Sequence, residues 1–509
     1  MSQQPANLEK AACLAVLGTG SDVGKSIVVS ALCRIYANMG LNVAPFKAQN
    51  MSNNSGVTPE GLEIGRAQIV QAEAARIAPH TDMNPVLLKP VSDVGSQVVL
   101  HGRPWMDATS RSYYQKKSEL FAESCLALDR LRSQHELIIM EGAGSCAEVN
   151  LLENDIVNLR AAAQAEAPVI LVADIDRGGV FAQIIGTLAC LQAEEQARIR
   201  GFIINRFRGD LSLFRPGIDW IEQQTGKAVF GVLPWYSHFH IEAEDSVVLE
   251  QPTKRLPHNI DEILIAVIRL PHISNFTDFD PLDQLSGCHL VYVREAQDLS
   301  PCAAVIIPGS KSTRSDLDWL HQSGWARQLH AYRQGGGHIL GICGGFQMLG
   351  QQVHDPHGLE GEAGSSTGLA MLPVNTVLQS PKTTTRTSFS WNDAEGTGYE
   401  IHMGATEVPA ADSMLTVQSR NRVACQDTDG CRSSDGHVLG TYMHGLFDNP
   451  AITRKWLDAI GLHAVTVTKD HGALARDRAY EQLATHALQH LDISAITALL
   501  PPHLQKVAL

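Results

Sequence analysis

Eight short apolar runs that alternate with helical patterns set the strongest limit on how this chain folds. Five lie in the first half, from "LAVLG" at residue 14 to "GFIINRF" at residue 201, and three lie between residues 263 and 343. Strands that alternate with helices form parallel sheets covered by helices. The pattern therefore predicts an α/β protein with two doubly wound, mostly parallel-sheet domains.

The division of these runs into two sets predicts two domains. At 509 residues the chain is too long for a single hydrophobic core. The polar stretch "EQPTKRLPHNID", twice interrupted by proline, separates the two sets. We therefore predict a first domain over residues 1–250, a linker over 251–261, a second domain over 262–455 and a C-terminal helical extension over 456–509. The stretch "SPKTTTRTSFSWNDAEG" is predicted to be an exposed loop.

The composition argues against several classes of function. A net charge of −14 without any basic run disfavours nucleic-acid binding. No stretch approaches about eighteen consecutive apolar residues, and the N-terminus resembles no signal peptide, so we expect no membrane partner. Ten cysteines without a C-x-x-C pair fit a reducing cytoplasm. We expect a cytoplasmic enzyme that acts on small molecules; the sequence makes no prediction of its oligomeric state.

The stretch "GTGSDVGKS" at residues 18–26 predicts a phosphate-binding loop. An apolar strand leads into this turn and a helix follows it, so the backbone N–H groups at the helix N-terminus point at an anion. Lys25 is expected to reach the terminal phosphates of a nucleotide, and the Ser26 hydroxyl to ligate Mg²⁺. The other residues expected to bind the nucleotide are Gly20, Ser21, Asp22, Val23 and Gly24. Five residues rather than the usual four separate Gly18 from the Gly-Lys pair.

Three polar residues end later strands of the first set, where parallel strands present their carboxyl ends to a ligand. Lys47 follows "NVAPF", and we expect its amine to face the bound phosphates rather than solvent. Glu141 follows "LIIM" and is well placed to hold Mg²⁺ directly or through water. Asn205 follows "GFII" and is expected to contact a nucleobase edge or to cap a turn. Glu60 and Glu63 are secondary candidates for the metal.

The order of P-loop, lysine and strand-end glutamate, together with the five-residue spacing, resembles the dethiobiotin synthetase family. The resemblance implies a P-loop NTPase-like first domain. It also implies that the domain activates a carboxylate with ATP through an acyl-phosphate-type intermediate.

The stretch "HILGICGGFQMLG" at residues 338–350 predicts a nucleophile. An apolar strand, a sharp glycine-flanked turn and a helix form the nucleophile-elbow pattern, with Cys343 in place of the usual serine. A helix N-terminus favours the thiolate, which is the form that attacks a carbonyl carbon. Cys343 is the only one of the ten cysteines with glycines at positions −2, +1 and +2.

The partners of this nucleophile are expected on two neighbouring strands. The strand in "VIIPGSKST" ends at Gly309 and Ser310, whose backbone N–H groups, with that of Gly344, are expected to form an oxyanion hole. The strand in "VLGTYMHGLFDN" is followed by His444, which is the expected base.

This second domain closely resembles class I glutamine amidotransferases. The resemblance implies a flavodoxin-like fold and release of ammonia when the cysteine attacks the side-chain amide of glutamine. In that family a glutamate usually stands two residues after the histidine, and here Leu446 takes its place. We therefore expect a Cys343–His444 dyad in which Asp448 or a backbone carbonyl orients the imidazole.

Two such sites in one chain predict the amidation of a carboxylate. ATP turns a carboxylate oxygen into a leaving group, and glutamine supplies neutral ammonia inside a dry site. The stretches "FKAQNMSNNS", "ADIDRGGVFAQ" and "TYMHGLFDN", among others along nearly the whole chain, look like those of a cobalamin-pathway amidotransferase family. That resemblance implies amidation of the b, d, e and g side chains of adenosylcobyrinic acid a,c-diamide to give adenosylcobyric acid, with ATP, glutamine and Mg²⁺.

The same resemblance implies a role for each site residue. Cys343 is the nucleophile and His444 its base. Lys25 and Ser26 contact phosphate and Mg²⁺, Lys47 stabilises charge on the acyl phosphate, and Glu141 holds the metal. Two alternatives stay open: the paralogous cobyrinic acid a,c-diamide synthase, and a P-loop switch ATPase with an inactive amidotransferase-like module.

Overall fold

Two large sheets, one in each half of the chain, organise the fold and confirm the predicted α/β class. The computed structural model describes residues 10–92, 95–236, 240–242, 256, 262–409 and 412–506. The predicted linker over residues 251–261 lies outside the described residues, apart from Leu256. The predicted domain boundaries stay predictions.

The first half forms twelve strands and seven helices among the described residues. The strands are β1 (Ala12–Gly18), β2 (Val43–Phe46), β3 (Gln49–Met51), β4 (Ser55–Val57), β5 (Glu63–Gly65), β6 (Val86–Ser92), β7 (Gly95–Leu100), β8 (Arg103–Thr109), β9 (Leu137–Glu141), β10 (Val169–Asp174), β11 (Ile199–Phe207) and β12 (Ala228–Pro234). The helices are α1 (Lys25–Asn38), α2 (Arg66–Ala74), α3 (Ser110–Arg132), α4 (Leu159–Gln164), α5 (Val180–Ala189), α6 (Ala193–Arg198) and α7 (Leu211–Thr225).

Six of these strands form one parallel sheet in the order β12-β11-β10-β1-β9-β2. Strands β9 and β10 are buried at every residue, as expected where helices cover both faces of a sheet. Because β1 pairs with β9 and β9 with β2, the carboxyl ends of these three strands lie side by side. This edge brings together three parts of the first site that are far apart in sequence.

The segment between β2 and α3 builds two smaller sheets. One is four-stranded, in the order β3-β6-β7-β8, and the other is the antiparallel pair β4 and β5. These strands carry the chain from the edge of the large sheet toward the second half of the protein.

The second half forms fifteen strands and five helices among the described residues. The strands are β13 (Ile263–Ile268), β14 (Ile273–Ser274), β15 (Cys288–Val293), β16 (Cys302–Ile307), β17 (Gly309–Ser310), β18 (His338–Ile342), β19 (Gln352–Asp355), β20 (Gly364–Thr367), β21 (Asn375–Val377), β22 (Thr383–Trp391), β23 (Ala394–His402), β24 (Ala405–Glu407), β25 (Ser413–Arg420), β26 (Val423–Arg432) and β27 (Val438–Thr441). The helices are α8 (Asp280–Asp283), α9 (Thr313–Gln322), α10 (Trp325–Gln334), α11 (Gly344–Leu349) and α12 (Pro450–Ala459).

Nine of these strands form the second large sheet, in the order β15-β13-β16-β18-β27-β26-β25-β22-β23. The first five are parallel, and the last four extend the sheet in antiparallel fashion. Strand β18 lies between β16 and β27, so the ends of these three strands place the predicted nucleophile between the predicted oxyanion hole and the predicted base.

The stretch "SPKTTTRTSFSWNDAEG" is not an exposed loop, and that prediction is wrong. Most of it forms β22 and the start of β23, which pair as a hairpin through a turn at residues 392–393. Phe389 at its centre is fully buried. The repeated threonines, which are β-branched and favour strands, and the alternation of side chains around Phe389 explain the outcome.

The C-terminal residues return to the first half of the chain. Helices α13 (Ala473–His490), α14 (Ile493–Thr497) and α15 (Pro502–Gln505) follow α12, which itself crosses the predicted boundary at residue 455. The buried Arg34 of α1 donates to Asp477 at 2.6 Å and to Glu481 at 2.8 Å, both on α13. The C-terminal helices therefore cover the helix that begins at the P-loop. Within the described part of the chain, no helix combines the length and the apolar character that crossing a membrane requires.

Candidate active sites

The P-loop adopts the geometry that the sequence predicts for an anion site. Strand β1 ends at Gly18, the loop turns through Gly24 at φ +95°, and α1 begins at Lys25. A Cβ on Gly24 would lie 2.0 Å from the Nδ2 atom of Asn205, so any side chain here would displace that amide and strain a backbone with positive φ. The Lys25 amine donates to the carbonyl oxygens of Gly20 and Gly144, each at 2.9 Å, and so lies over the loop.

Glu141 joins three elements at this edge of the sheet. Its Oε1 atom accepts from the Ser26 hydroxyl at 2.9 Å and from the Lys47 amine at 2.9 Å, and its Oε2 atom accepts from the Gln71 amide. Lys47 is only 3% exposed. Its amine points away from solvent and shares a carboxylate oxygen with Ser26, which agrees with the expected side of the P-loop. Contact with bound phosphates stays a prediction.

Ser26 and Glu141 fit a magnesium ion. Adjacent ligands of an octahedral Mg²⁺ at about 2.1 Å lie about 3 Å apart, and the Ser26 hydroxyl lies 2.9 Å from the nearer carboxylate oxygen. Neither of the secondary candidates joins them. Glu63 pairs with Lys89 and with Lys382, and Glu60 is exposed. Among the described residues no group of three or more His, Cys, Asp or Glu side chains could hold a metal ion.

Asn205 contacts the P-loop from behind. Its Nδ2 atom donates to the carbonyl oxygen of Val23 at 2.9 Å, and the residue is only 5% exposed. This arrangement corresponds to the turn-capping alternative, in which the amide fixes the loop. Contact with a nucleobase edge stays a prediction. In front of the loop, a cavity of about 360 Å³ is lined by Lys25, Lys47 and Lys117 among others.

Cys343 stands at a strained turn. It follows β18 with φ +52° and ψ −109°, a conformation that an L-residue rarely adopts, and it caps the N-terminus of α11. A Cβ on Gly344 would lie 2.8 Å from the backbone nitrogen of Ser310, so the two chain segments touch beside the sulfur. The first N–H groups of a helix have no partner within it, which leaves that of Gly344 available to an oxyanion.

His444 lies beside Cys343 and is held by a carboxylate. Its Nδ1 atom lies 2.6 Å from Oδ2 of Asp278, whose Oδ1 also accepts from the Gly445 N–H at 3.1 Å. The ring of Tyr399 stacks on the imidazole with centroids 5.2 Å apart. Burial lowers the pKa of His444, but the Asp278 carboxylate and the hydrogen bond with Cys343 outweigh it and raise the pKa to about 10.

The expectation that Asp448 or a backbone carbonyl orients His444 is therefore wrong. Asp448 pairs with Arg476 at 2.6 Å instead. Asp278 belongs to the short 3-10 helix Phe276–Phe279, which follows β14 and packs against the loop that carries His444. The arrangement is a Cys–His–Asp triad whose carboxylate comes from a different part of the chain.

The predicted oxyanion hole lies at the same place. A Cβ on Gly309 would be 3.5 Å from the Cε1 atom of His444, which places β17 against the imidazole. Ser310, Cys343 and His444 line one cavity of about 50 Å³. The geometry is consistent with Gly309, Ser310 and Gly344 as donors, which stays a prediction.

Comparison with known proteins assigns both halves. Residues 14–247 match the model of the CobQ/CobB/MinD/ParA nucleotide binding domain, and residues 264–452 match that of the CobB/CobQ-like glutamine amidotransferase domain. A cobyric acid synthase of Chlorobaculum tepidum is 51% identical over 96% of this chain and 97% of its own. Those of Chlorobium phaeobacteroides and Chlorobium chlorochromatii are 51% and 48% identical, over 95% and 96% of this chain and 98% and 96% of their own.

The chain belongs to the cobyric acid synthase family. It is thus an enzyme that combines a nucleotide-binding domain with a glutamine amidotransferase domain, as predicted from the two sets of motifs. The chain matches the nucleotide binding domain although five residues, rather than the usual four, separate Gly18 from the Gly-Lys pair.

In this cobyric acid synthase family member, sequence reasoning missed Asp278, Gln71 and Gly144. Asp278 follows a short strand in "NFTDFD", and an acidic residue between two buried aromatic residues near a strand end was the available signal. Gln71 lies in the helical stretch after "EIGRAQ", where nothing local marks it as a partner of Glu141.

The two sites are linked by the segment that follows Lys47. Eight residues after Lys47, at β4, the backbone oxygen of Ser55 accepts from the Asn275 side-chain amide at 2.9 Å. The side-chain amide oxygen of the preceding residue, Asn54, accepts from the Thr277 hydroxyl at 3.3 Å. Asn275 and Thr277 lie three residues and one residue before the triad residue Asp278. The segment from Lys47 to Ser55 therefore contacts Glu141 at one end and the residues just before Asp278 at the other.

Proposed function

We propose that this chain uses ATP and glutamine to amidate the b, d, e and g carboxylates of adenosylcobyrinic acid a,c-diamide, giving adenosylcobyric acid in cobalamin biosynthesis. The observation that carries the proposal is the presence in one chain of a Cys–His–Asp triad and of a P-loop with Lys47 and Glu141. Relatives named cobyric acid synthase that align along almost the whole chain support the choice of substrate.

The triad supplies ammonia from glutamine. His444, protonated beside Asp278, stabilises a thiolate on Cys343 by its charge, and the thiolate attacks the side-chain carbonyl carbon of glutamine. Backbone N–H groups at Ser310 and Gly344 stabilise the oxygen of the tetrahedral intermediate. The carbon–nitrogen bond then breaks, ammonia leaves with a proton from the imidazole, and water hydrolyses the remaining thioester to glutamate.

The P-loop site activates the acceptor. The loop and Lys25 bind the phosphates of ATP, and one carboxylate of the corrinoid attacks the terminal phosphorus to give an acyl phosphate and ADP. Ser26 and Glu141 would hold Mg²⁺, which neutralises phosphate charge when bound. Lys47 stabilises charge on the acyl phosphate, which ammonia then attacks at carbon, releasing phosphate and forming the amide. The substrates are thus three small molecules: ATP, glutamine and the corrinoid.

The state of the cysteines fits a cytoplasmic enzyme. All ten cysteines are free, which agrees with a reducing compartment.

The chain's membership of the cobyric acid synthase family does not favour either of the two alternative functions, the a,c-diamide synthase and the switch ATPase.

One turnover experiment tests the proposal. The purified protein is incubated with adenosylcobyrinic acid a,c-diamide, ATP, Mg²⁺ and glutamine, and the corrinoid products are resolved by mass spectrometry. We expect successive amide products ending at adenosylcobyric acid, with one ATP hydrolysed for each amide. Amidation of cobyrinic acid in a parallel incubation, with none of the a,c-diamide, would identify the a,c-diamide synthase. Glutamate release without any amide would contradict the proposal.

A further inference from the structure

The cavity in front of the P-loop is too small for both of the molecules that must react there. It measures about 360 Å³ and is lined by Lys25 and Lys47, which contact phosphate in the proposed function. Ligand pockets span roughly 300–1,000 Å³, so this one lies near the lower end. A nucleoside triphosphate would take up most of the space. The corrin ring, which is larger than a nucleotide, must therefore lie outside the cavity and against its rim.

The rim of this cavity carries exposed apolar side chains from three separate elements. They are Met51 at the end of β3, Tyr114 on α3, and Val149 and Leu151 in the loop after β9; we call these four residues the apolar rim. Between 38% and 63% of each side chain is exposed. Met51 and Leu151 line the cavity itself. Large apolar side chains that are exposed together commonly mark a surface that binds a ligand or a partner.

Lys117 places a positive charge beside the apolar rim. It lines the same cavity, and its amine lies over the rings of Tyr114 and Tyr113, 4.9 Å and 5.7 Å from their centroids. The three residues meet because Lys117 stands three and four positions after the tyrosines on α3. The buried Tyr113 donates its hydroxyl to Gln49 on β3, which fixes α3 against the strand that follows Lys47.

The Lys117 amine has hydrogen-bond donors that no residue uses. An ammonium group carries three N–H donors, and contact with aromatic faces stabilises its charge without engaging them. Among the described residues this amine makes no hydrogen bond or ion pair. Burial lowers the pKa of Lys117 and Asp155 opposes the effect, so an anion bound at the amine would further stabilise the charged form. The neighbouring Lys116, by contrast, pairs with Glu119 at 2.8 Å.

The acceptor of the proposed reaction has the chemistry that fits this surface. A corrin ring presents broad faces that carry methyl groups, and its edge carries several carboxylates, of which one reacts at a time. While one carboxylate lies beside Lys47, the others remain charged and need partners. A nucleotide or a glutamine molecule has no apolar face of this size, so neither would cover the apolar rim.

We propose that the apolar rim binds a face of the corrin ring of adenosylcobyrinic acid a,c-diamide, while Lys117 binds one of its carboxylates that is not reacting. This inference rests on the proposed function, because it takes the corrinoid as the acceptor. The contacts hold the ring outside the cavity while another carboxylate reaches Lys47. Amidation of the carboxylate at Lys117 removes its charge and weakens the contact, which favours release of the product.

Equilibrium dialysis tests the role of Lys117. The full chain, with Mg²⁺ and a non-hydrolysable ATP analogue, is dialysed against adenosylcobyrinic acid a,c-diamide, and bound corrinoid is measured by its visible absorbance. Lys117→Met removes the charge and keeps an unbranched side chain. We expect it to raise the Kd about tenfold, the scale for one hydrogen bond to a charged group. Lys117→Arg keeps the charge and should restore most of the affinity, and Lys116→Met is the matched control that should leave the Kd unchanged.

The same assay tests the apolar rim. Leu151→Gln and Met51→Gln should each weaken corrinoid binding about fivefold, because part of one apolar side chain is no longer removed from water on binding. Leu213→Gln is the matched control, since Leu213 is 81% exposed on α7 and does not line the cavity. None of these variants should change the KM for ATP or the rate of glutamate release.

Comparison of substrate with product gives a second measure of Lys117. Adenosylcobyric acid has fewer carboxylates than the a,c-diamide and should bind the wild type more weakly. This difference should shrink in Lys117→Met, because the amine that distinguishes a carboxylate from an amide is gone. A difference of equal size in both proteins would contradict the assigned contact.

Three other outcomes would overturn the proposal. An unchanged Kd in Lys117→Met would refute the role of the amine, and an unchanged Kd in both Leu151→Gln and Met51→Gln would refute the role of the apolar rim. A KM for ATP that rises as much as the Kd for the corrinoid would mean that Lys117 contacts the nucleotide instead. A wild-type protein that makes no amide from the a,c-diamide would refute the proposed function itself, whereas the inference alone fails if the wild type makes the amide and the variants bind the corrinoid equally well.

Discussion

Replacing Asp278 by asparagine tests the triad most directly. Asp278→Asn preserves the shape of the side chain but removes its charge, and its amide nitrogen can face Nδ1 of His444 only as a donor. The imidazole then loses both the partner that orients it and the charge that keeps it protonated. We expect glutamine hydrolysis to fail while the P-loop site keeps working.

The pair is buried and closely joined. His444 is 2% and Asp278 8% exposed, and the atoms that join them are 2.6 Å apart. The loss in rate comes from the orientation and tautomer of the imidazole, which the carboxylate fixes. Removing the charge of a triad carboxylate lowers turnover by about 10⁴-fold, so we expect a loss of that order in the rate of glutamate release.

The assay compares two carboxylates near His444 and two nitrogen sources. Asp448→Asn is the matched control, because Asp448 stands four residues after His444 but pairs with Arg476. Its rate of glutamate release should stay within about tenfold of the wild type, since a partly exposed ion pair contributes little. Amidation with ammonium chloride should survive in both variants. An unchanged glutaminase rate in Asp278→Asn, or an equal loss in Asp448→Asn, would refute the assignment.

The same substitution should change the pH dependence of stability. The pKa of His444 is raised from 6.5 to about 10 in the folded protein. A raised pKa stabilises the fold fully below the unfolded value, and the contribution is lost as pH rises toward the folded value. The difference in Tm between the wild type and Asp278→Asn should therefore be largest below about pH 6.5 and narrow as pH approaches about 10. A constant difference across that range would contradict the assigned ion pair.

Four other substitutions separate the two sites. Cys343→Ala should lower glutamine-dependent amidation at least roughly a thousandfold while ammonium-dependent amidation survives; loss of both in a folded, ATP-binding variant would contradict separate sites. Lys25→Ala should abolish amidation from both sources, because no leaving group forms; product from ammonium chloride would refute its role. Lys47→Ala should lower both by about 10²-fold, the scale for removing one charge-stabilising donor, and spare glutaminase chemistry. Gly24→Ala should abolish ATP binding in a calorimetric titration, because the added methyl group would lie 2.0 Å from Nδ2 of Asn205.

The sequence predicted well the positions of those site residues that belong to a short local motif. A P-loop, a strand-end lysine and a nucleophile elbow each combine an apolar strand with a turn of fixed chemistry, so short stretches predicted where Lys25, Lys47 and Cys343 would stand. The sheet then brings them to their partners because parallel strands share one edge. This rule explains why Ser26 and Lys47 both contact the carboxylate of Glu141.

The hairpin of β22 and β23 shows where composition misleads. Its polar threonines and serines suggested an exposed loop, yet the stretch continues the large sheet and buries Phe389. Polar residues on alternate positions are compatible with a strand whose other face packs on a core. Only the neighbouring strand β25, which is more than twenty residues away, distinguishes the two cases.

The carboxylate that orients His444 could not have been identified from the sequence around it. The position two residues after the histidine holds Leu446, which is 1% exposed and packs in the core, so no acidic residue fits there. The required charge comes from Asp278, which is 166 residues away. The 3-10 helix that bears it is fixed by Asn275 and Thr277, which bond to Ser55 and Asn54 of the nucleotide-binding domain. The position of the triad carboxylate therefore depends on how the two domains pack, which no pattern within either domain encodes.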